Sequence, residues 1–131
     1  MTKLFKKVSA VALSAVMATS MAITASAYSG SVAGITVNYS STINSSYATS
    51  TSSISADPTT NSLEAKISAT FVYRNTSTGI SESDFDYNDY SEGGSGLQYR
   101  APTGCEMKSV AAIHSFKVNG VEKTFRSSAS R

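Results

Sequence analysis

Apolar and polar residues alternate along much of this chain. Leu63, Ala65, Ile67, Ala69, Phe71 and Tyr73 occupy one parity, and Glu64, Lys66, Ser68, Thr70 and Arg74 the other. A period of two sustained from 63 to 74 predicts a half-buried β-strand, because successive side chains of an extended chain point to opposite faces. Residues 47–56 are a run of Ala, Ser, Thr and Ile, followed by Asp57-Pro58-Thr59-Thr60-Asn61. Pro and the Asx residues there are turn formers. The two runs read as a hairpin in which small Ala48, Ser50, Ser52 and Ile54 oppose the larger side chains of the second strand. Residues 34–40, with Ile35, Val37 and Tyr39 on one parity, predict an earlier strand.

The sharpest local signal is Asn119-Gly120, flanked by strand-like residues 109–118 and 121–127. A two-residue type I′ turn needs positive φ at both central positions, and Asn-Gly is the dipeptide that suits it. Such a turn sets the register. Val118 faces Val121, Lys117 faces Glu122, Phe116 faces Lys123, Ser115 faces Thr124 and His114 faces Phe125. One face then carries Ala112, His114, Phe116, Val118, Val121 and Phe125, and the other Ser115, Lys117, Glu122, Thr124 and Arg126. The Lys117–Glu122 pair on the wet face supports this register.

Residues 75–104 differ from both flanks, with Gly79, Gly93, Gly94, Gly96 and Gly104 interrupting them and Glu82, Asp84, Asp86, Asp89 and Glu92 crowded together. They read as a long acidic connection across one end of the sheets, with a short strand at 96–101. No segment after residue 27 sustains a helical apolar period. Five to six strands separated by turn signals predict an all-β domain, a single antiparallel β-sandwich or small open barrel.

Composition changes this picture mainly at the N-terminus. Lys3, Lys6 and Lys7 precede an uncharged stretch and then Ala25-Ser26-Ala27, the three-part pattern of a secretory signal peptide cleaved after Ala27. Residues 1–27 are thus read as the signal peptide and 28–131 as one secreted domain, extracellular and without a transmembrane segment, since the apolar run falls short of the ~20 residues a bilayer requires. The formal charge of +2 belongs to the leader. Residues 28–131 carry 8 Lys and Arg against 9 Asp and Glu, which removes the basic surplus expected of nucleic-acid binding. Ser and Thr make up 33 of those 104 residues and alternate with apolar positions, so they belong to strands and not to a linker. A lone Cys105 cannot form an intrachain disulfide. An exported domain without that staple points to a Gram-positive bacterium.

Candidate chemistry is sparse. Asp84, Asp86 and Asn88 fall at positions 1, 3 and 5 of an EF-hand-like loop, and with Asp89 they offer hard oxygens suited to calcium. The pattern departs from the EF-hand where Asp89 replaces its Gly and Ser95 its bidentate Glu, so a calcium loop of another kind and a solvated acidic loop stand as alternatives. Tyr87, Tyr90 and Tyr99 interleave with the acids and offer either a sugar- or protein-binding edge or caps for the ends of the core. His114 is the only histidine. Its neighbour Ser115 points to the opposite face of the same strand, which argues against a Ser-His triad and for a histidine packed against Phe125. Cys105 with His114 is the remaining nucleophile pair, and the local signatures of cysteine peptidases are missing.

Ser45-Ser46-Tyr47-Ala48-Thr49-Ser50, the strand from Ala65 to Tyr73, Ala101-Pro102-Thr103-Gly104 and the closing Ser127-Ser128-Ala129-Ser130 resemble the small exported Ser/Thr-rich β-proteins of Clostridia-type Firmicutes. That resemblance implies compartment and fold and supplies no activity. His114-Ser115, leading through Val118 into Asn119-Gly120, is similar to lactococcin-972-like bacteriocins, whose Trp-containing remainder this chain lacks. The expectation is a non-enzymatic secreted protein that binds the cell wall or a protein partner through its surface, with a bacteriocin-like toxin or a calcium-stabilised module as alternatives.

Overall fold

The computed structural model describes residues 24–131. Eight strands follow one another: β1 (Thr24–Val32), β2 (Ile35–Ile43), β3 (Tyr47–Ile54), β4 (Leu63–Asn75), β5 (Ser81–Ser91), β6 (Gly94–Arg100), β7 (Cys105–Val118) and β8 (Val121–Ser130). They form two antiparallel sheets of four, ordered β1-β2-β3-β6 and β5-β4-β7-β8. The sheets are open and pack face to face, so the architecture is a sandwich and not a barrel. No described helix is long and apolar enough to cross a membrane.

Local chemistry accounts for the connections. Asn119 and Gly120 both take positive φ (49° and 84°), and β7 pairs with β8 in the register set by that turn, from Val118 opposite Val121 to His114 opposite Phe125. Ala33 and Gly34 make the same kind of turn between β1 and β2, with φ of 51° and 79°. Ala pays a steric penalty there that Asn or Gly would not. The β2–β3 and β4–β5 turns are held by Asx side chains: Asn44 Oδ1 accepts from the Ser46 and Tyr47 amides, and Asn75 Oδ1 from those of Ser77 and Thr78.

Four expectations are corrected. Residues 47–56 and 63–73 do not form a hairpin, because β3 pairs with β2 and β6 while β4 lies in the other sheet. The 55–62 segment is a crossover, tied at one end by the Ser55 amide to the Thr36 carbonyl and at the other by the Asn119 amide to the Ser62 carbonyl. The same turn residues serve a crossover as well as a hairpin. The acidic connection at 75–104 is instead β5 and β6, and strand pairing begins as soon as the chain leaves the Asn75 turn. Val121 shares the face of buried Val118, as the register requires, but is itself exposed at the hairpin tip. The described residues form eight strands, not five or six, because β1 and β5 join the expected set. As for the leader, residues 1–23 lie outside the described residues, while Thr24–Ala27 pair with Ile43–Ser40 as the first part of β1.

β4 shows why the sandwich holds together. Its alternation is mirrored in burial, with Leu63, Ala65, Ile67, Ala69, Phe71 and Tyr73 all buried. The core divides into two apolar clusters. One gathers around Ile43, Ile67, Phe71, Leu97, Met107 and Val110, the other around Val32, Val37, Leu63, Phe116 and Val118. Between them four strands place polar residues: Ser41 on β2, Ser50 and Ser52 on β3, His114 on β7 and Ser127 on β8, every one buried.

Candidate functional site

β5 inverts the pattern of its neighbour. Its partners on β4 fix which parity faces inward: Asn88 opposes Ile67, Asp86 opposes Ala69, Asp84 opposes Phe71 and Glu82 opposes Tyr73. All four β4 residues are buried, so the acids of β5 sit on the core-facing side and Ser83, Phe85 and Tyr87 on the outer side. Phe85 and Tyr87 are 64% and 57% exposed, with ring centroids 6.2 Å apart. An edge strand can carry this inversion because its inward side chains reach past the rim of the core to water. Glu82 and Asp84 are exposed, and Asp86 is half-buried.

Two side chains tie β5 to the opposite sheet. Asn88, buried, donates from Nδ2 to the Gly96 carbonyl at 3.2 Å. The Tyr99 hydroxyl donates to the Asp84 carboxylate, while its ring stacks on Phe71 and Tyr73 at 4.9 and 6.0 Å. Burial, then the Asp84 carboxylate and Tyr73, hold the Tyr99 phenol well above its ordinary range. Gly94 lets β6 approach, since a Cβ there would lie 2.6 Å from the Ser52 carbonyl oxygen.

This geometry sorts the expected site residues. Asp84, Asp86 and Asn88 share one face of a strand, at intervals of about 6.6 Å along the backbone, whereas calcium gathers its oxygens at 2.3–2.6 Å from one point. Asp89 lies beyond them, where the β4–β5 register shifts. Among the described residues no group of three or more His, Cys, Asp or Glu is placed to hold a metal ion. Tyr87 is on the outer face with Phe85, Tyr99 is turned into the core from β6, and Tyr90 lies in β5 with its side chain outside the described positions. Phe85 was not among the expected site residues, although its i, i+2 spacing with Tyr87 marks a shared face once residues 81–91 are read as a strand.

His114 is fully buried, 5.3 Å from the Tyr39 ring and across from Phe125. Its Nδ1 bonds the Ser52 hydroxyl at 2.8 Å and its Nε2 that of Ser127 at 2.6 Å. Ser127 continues to Ser41 at 2.6 Å and Ser41 to Ser50 at 2.9 Å. Burial lowers the imidazole pKa to about 4, so the ring is neutral at physiological pH. Ser115 lies on the outer face of β7 with Thr124, as its parity requires. The pairing of Cys105 with His114 is excluded by length: they begin and continue one strand, nine residues apart, or about 30 Å at the rise of an extended chain. Cys105 packs half-buried against the Phe71 cluster. No protein-family model, curated protein or solved structure matches the chain.

Proposed function

We propose that the protein is a secreted, non-enzymatic module of a Gram-positive bacterium that works by binding a cell-wall or protein ligand through its surface. The observation that carries this reading is the outward Phe85–Tyr87 pair on an edge strand. Exposed aromatics normally lower solubility, and edge strands are ordinarily guarded against contact. Two of them side by side on such a strand make sense as a contact surface, where aromatic side chains supply large area at low entropic cost. The uncharged leader core, the Ala25-Ser26-Ala27 triplet and the lone Cys105 support export.

The test is retention of the purified protein on whole cells and on isolated peptidoglycan, with and without chelator, beside a Phe85→Ser/Tyr87→Ser double variant. Retention of the parent and loss in the variant is the expected result. Equal retention of both moves the contact elsewhere, and no retention on any surface overturns the reading. Inhibition of related strains by the protein would replace it with a toxin.

A further inference from the structure

The outer edge of β5 has a definite chemistry. In an antiparallel ladder, pairs whose backbone groups bond each other alternate with pairs whose groups point away. The Asn75 amide bonds the Ile80 carbonyl, so by alternation in the β4–β5 register the bonded positions on β5 are Glu82, Asp84, Asp86 and Asn88. The amides and carbonyls of Ser81, Ser83, Phe85 and Tyr87 therefore point outward from the sheet. The Tyr87 amide agrees, since it donates to the Asp86 carboxylate at 2.8 Å and not to β4.

The opposite side of the sandwich is closed differently. There the Ser26 hydroxyl donates to the Ser128 carbonyl and Lys123 Nζ to the Ser31 carbonyl, so side chains take up backbone carbonyls of both edge strands, whereas the bonds that tie β5 to β6 run through the Asn88 and Asp84 side chains and not through the backbone of β5. Along β5 every residue from Ser81 to Phe85 is exposed, whichever face it lies on. Charge then selects the partner. No Lys or Arg occurs between Arg74 and Arg100, a stretch holding Glu82, Asp84, Asp86, Asp89 and Glu92. Two copies of β5 side by side would bring these acids together, which disfavours self-pairing.

We propose that the outer edge of β5 receives an extended cationic peptide segment as an added strand of its sheet, Lys or Arg lying beside Glu82, Asp84 and Asp86, and apolar residues beside Phe85 and Tyr87. This names the partner class of the binding surface proposed above and rests on that reading. Main-chain hydrogen bonds to Ser81, Ser83 and Phe85 supply affinity, and the two rows of side chains supply selectivity, as in other strand additions. The peptide must alternate basic and apolar residues, because a strand's side chains alternate.

A labelled peptide of about nine residues, long enough to span the edge at roughly 3.3 Å per residue, with Lys and Val alternating, provides the probe in fluorescence polarisation. Saturable binding that weakens with salt is expected, with no binding of an alternating Glu/Val peptide. A peptide with the same Lys and Val in two blocks should bind about tenfold more weakly, since only one register of contacts survives. Ser83→Pro removes an outward amide without touching the β4 ladder and should weaken binding about tenfold as well. N-methylation of alternate peptide amides repeats that test without altering the protein, should Ser83→Pro fail to fold. Equal binding of alternating, blocked and N-methylated peptides would reduce the interaction to charge attraction and overturn strand addition. So would no peptide binding. If the protein then still clings to cells through Phe85 and Tyr87, the surface-binding reading stands and only the partner class falls.

Discussion

β4 and β5 lie side by side in one sheet and obey opposite rules. β4 is central, flanked by β5 and β7, and from Leu63 to Tyr73 every residue of its inward parity is hydrophobic and buried. Among the described residues β5 has a neighbour on one side only, and its inward parity carries Glu82, Asp84, Asp86 and Asn88 while Phe85 and Tyr87 face out. The difference teaches that burial here is set by position in the sheet and not by alternation alone. A central strand is covered on both edges and must satisfy the core. An edge strand is free to spend its side chains on something else.

The largest effect should come from emptying the central strand. Phe71 is fully buried, so Phe71→Ala should cost about 3–5 kcal/mol in urea denaturation. A loss below ~1 kcal/mol would mean that β4 is no more critical than its neighbour, and the contrast would break.

Next comes pH, acting on the polar layer beside β4. The folded chain holds His114 neutral down to about pH 4, whereas an unfolded His titrates near 6.5. Stability from this residue is therefore full above 6.5, falls as pH drops from 6.5 to 4 and levels off below. The linkage amounts to roughly 3 kcal/mol. Asp57, lowered by its bonds to Thr59, and Glu106, lowered by Lys108 and Arg74, lose their contributions at still lower pH, below their ordinary values of 3.8 and 4.5. Denaturation midpoints at pH 7, 5.5, 4.5 and 3 separate the two windows, and a flat profile from 7 to 4.5 would remove His114 as a titrating core residue.

Ser127→Ala should follow, at about 1–3 kcal/mol, because it strips a hydrogen bond from buried His114 Nε2 and another from Ser41. Ser83→Ala on the outer face of β5 makes the matched control and should be silent. The smallest effect sharpens the contrast most: Phe85→Ala should shift stability by no more than ~0.5 kcal/mol, so that any loss of surface retention in that variant reports contact and not folding.

Parts of this were legible in the sequence for identifiable reasons. The β7–β8 register could be read because Asn119-Gly120 sets it by local backbone chemistry, and β4 could be read because its alternation coincides with its burial. β5 was hidden since acids occupied the parity that a core strand gives to apolar residues. The 57–61 turn residues were visible, yet nothing local distinguishes a hairpin from a step between sheets. The parity of Ser115 kept it from His114, as expected. The serines that do meet the ring, Ser52 and Ser127, come from β3 and β8, 62 and 13 positions away. In a chain with 33 Ser and Thr residues after Ala27 no spacing rule could single them out.

The chain from Ser52 through His114, Ser127 and Ser41 to Ser50 has one more property. A neutral imidazole donates from one nitrogen and accepts at the other, and each hydroxyl has a single hydrogen to give. If Nδ1 carries the proton, Ser127 must donate to Nε2, Ser41 must donate to Ser127, and Ser50 to Ser41. If Nε2 carries it, Ser52 donates to the ring and Ser127 is released to point onward. A proton on Nδ1 thus orders hydrogens on four strands and across both sheets at once, and moving it to Nε2 frees that order beyond Ser127. The interior stores a direction as well as a shape, and nitrogen chemical shifts of the one histidine would read it.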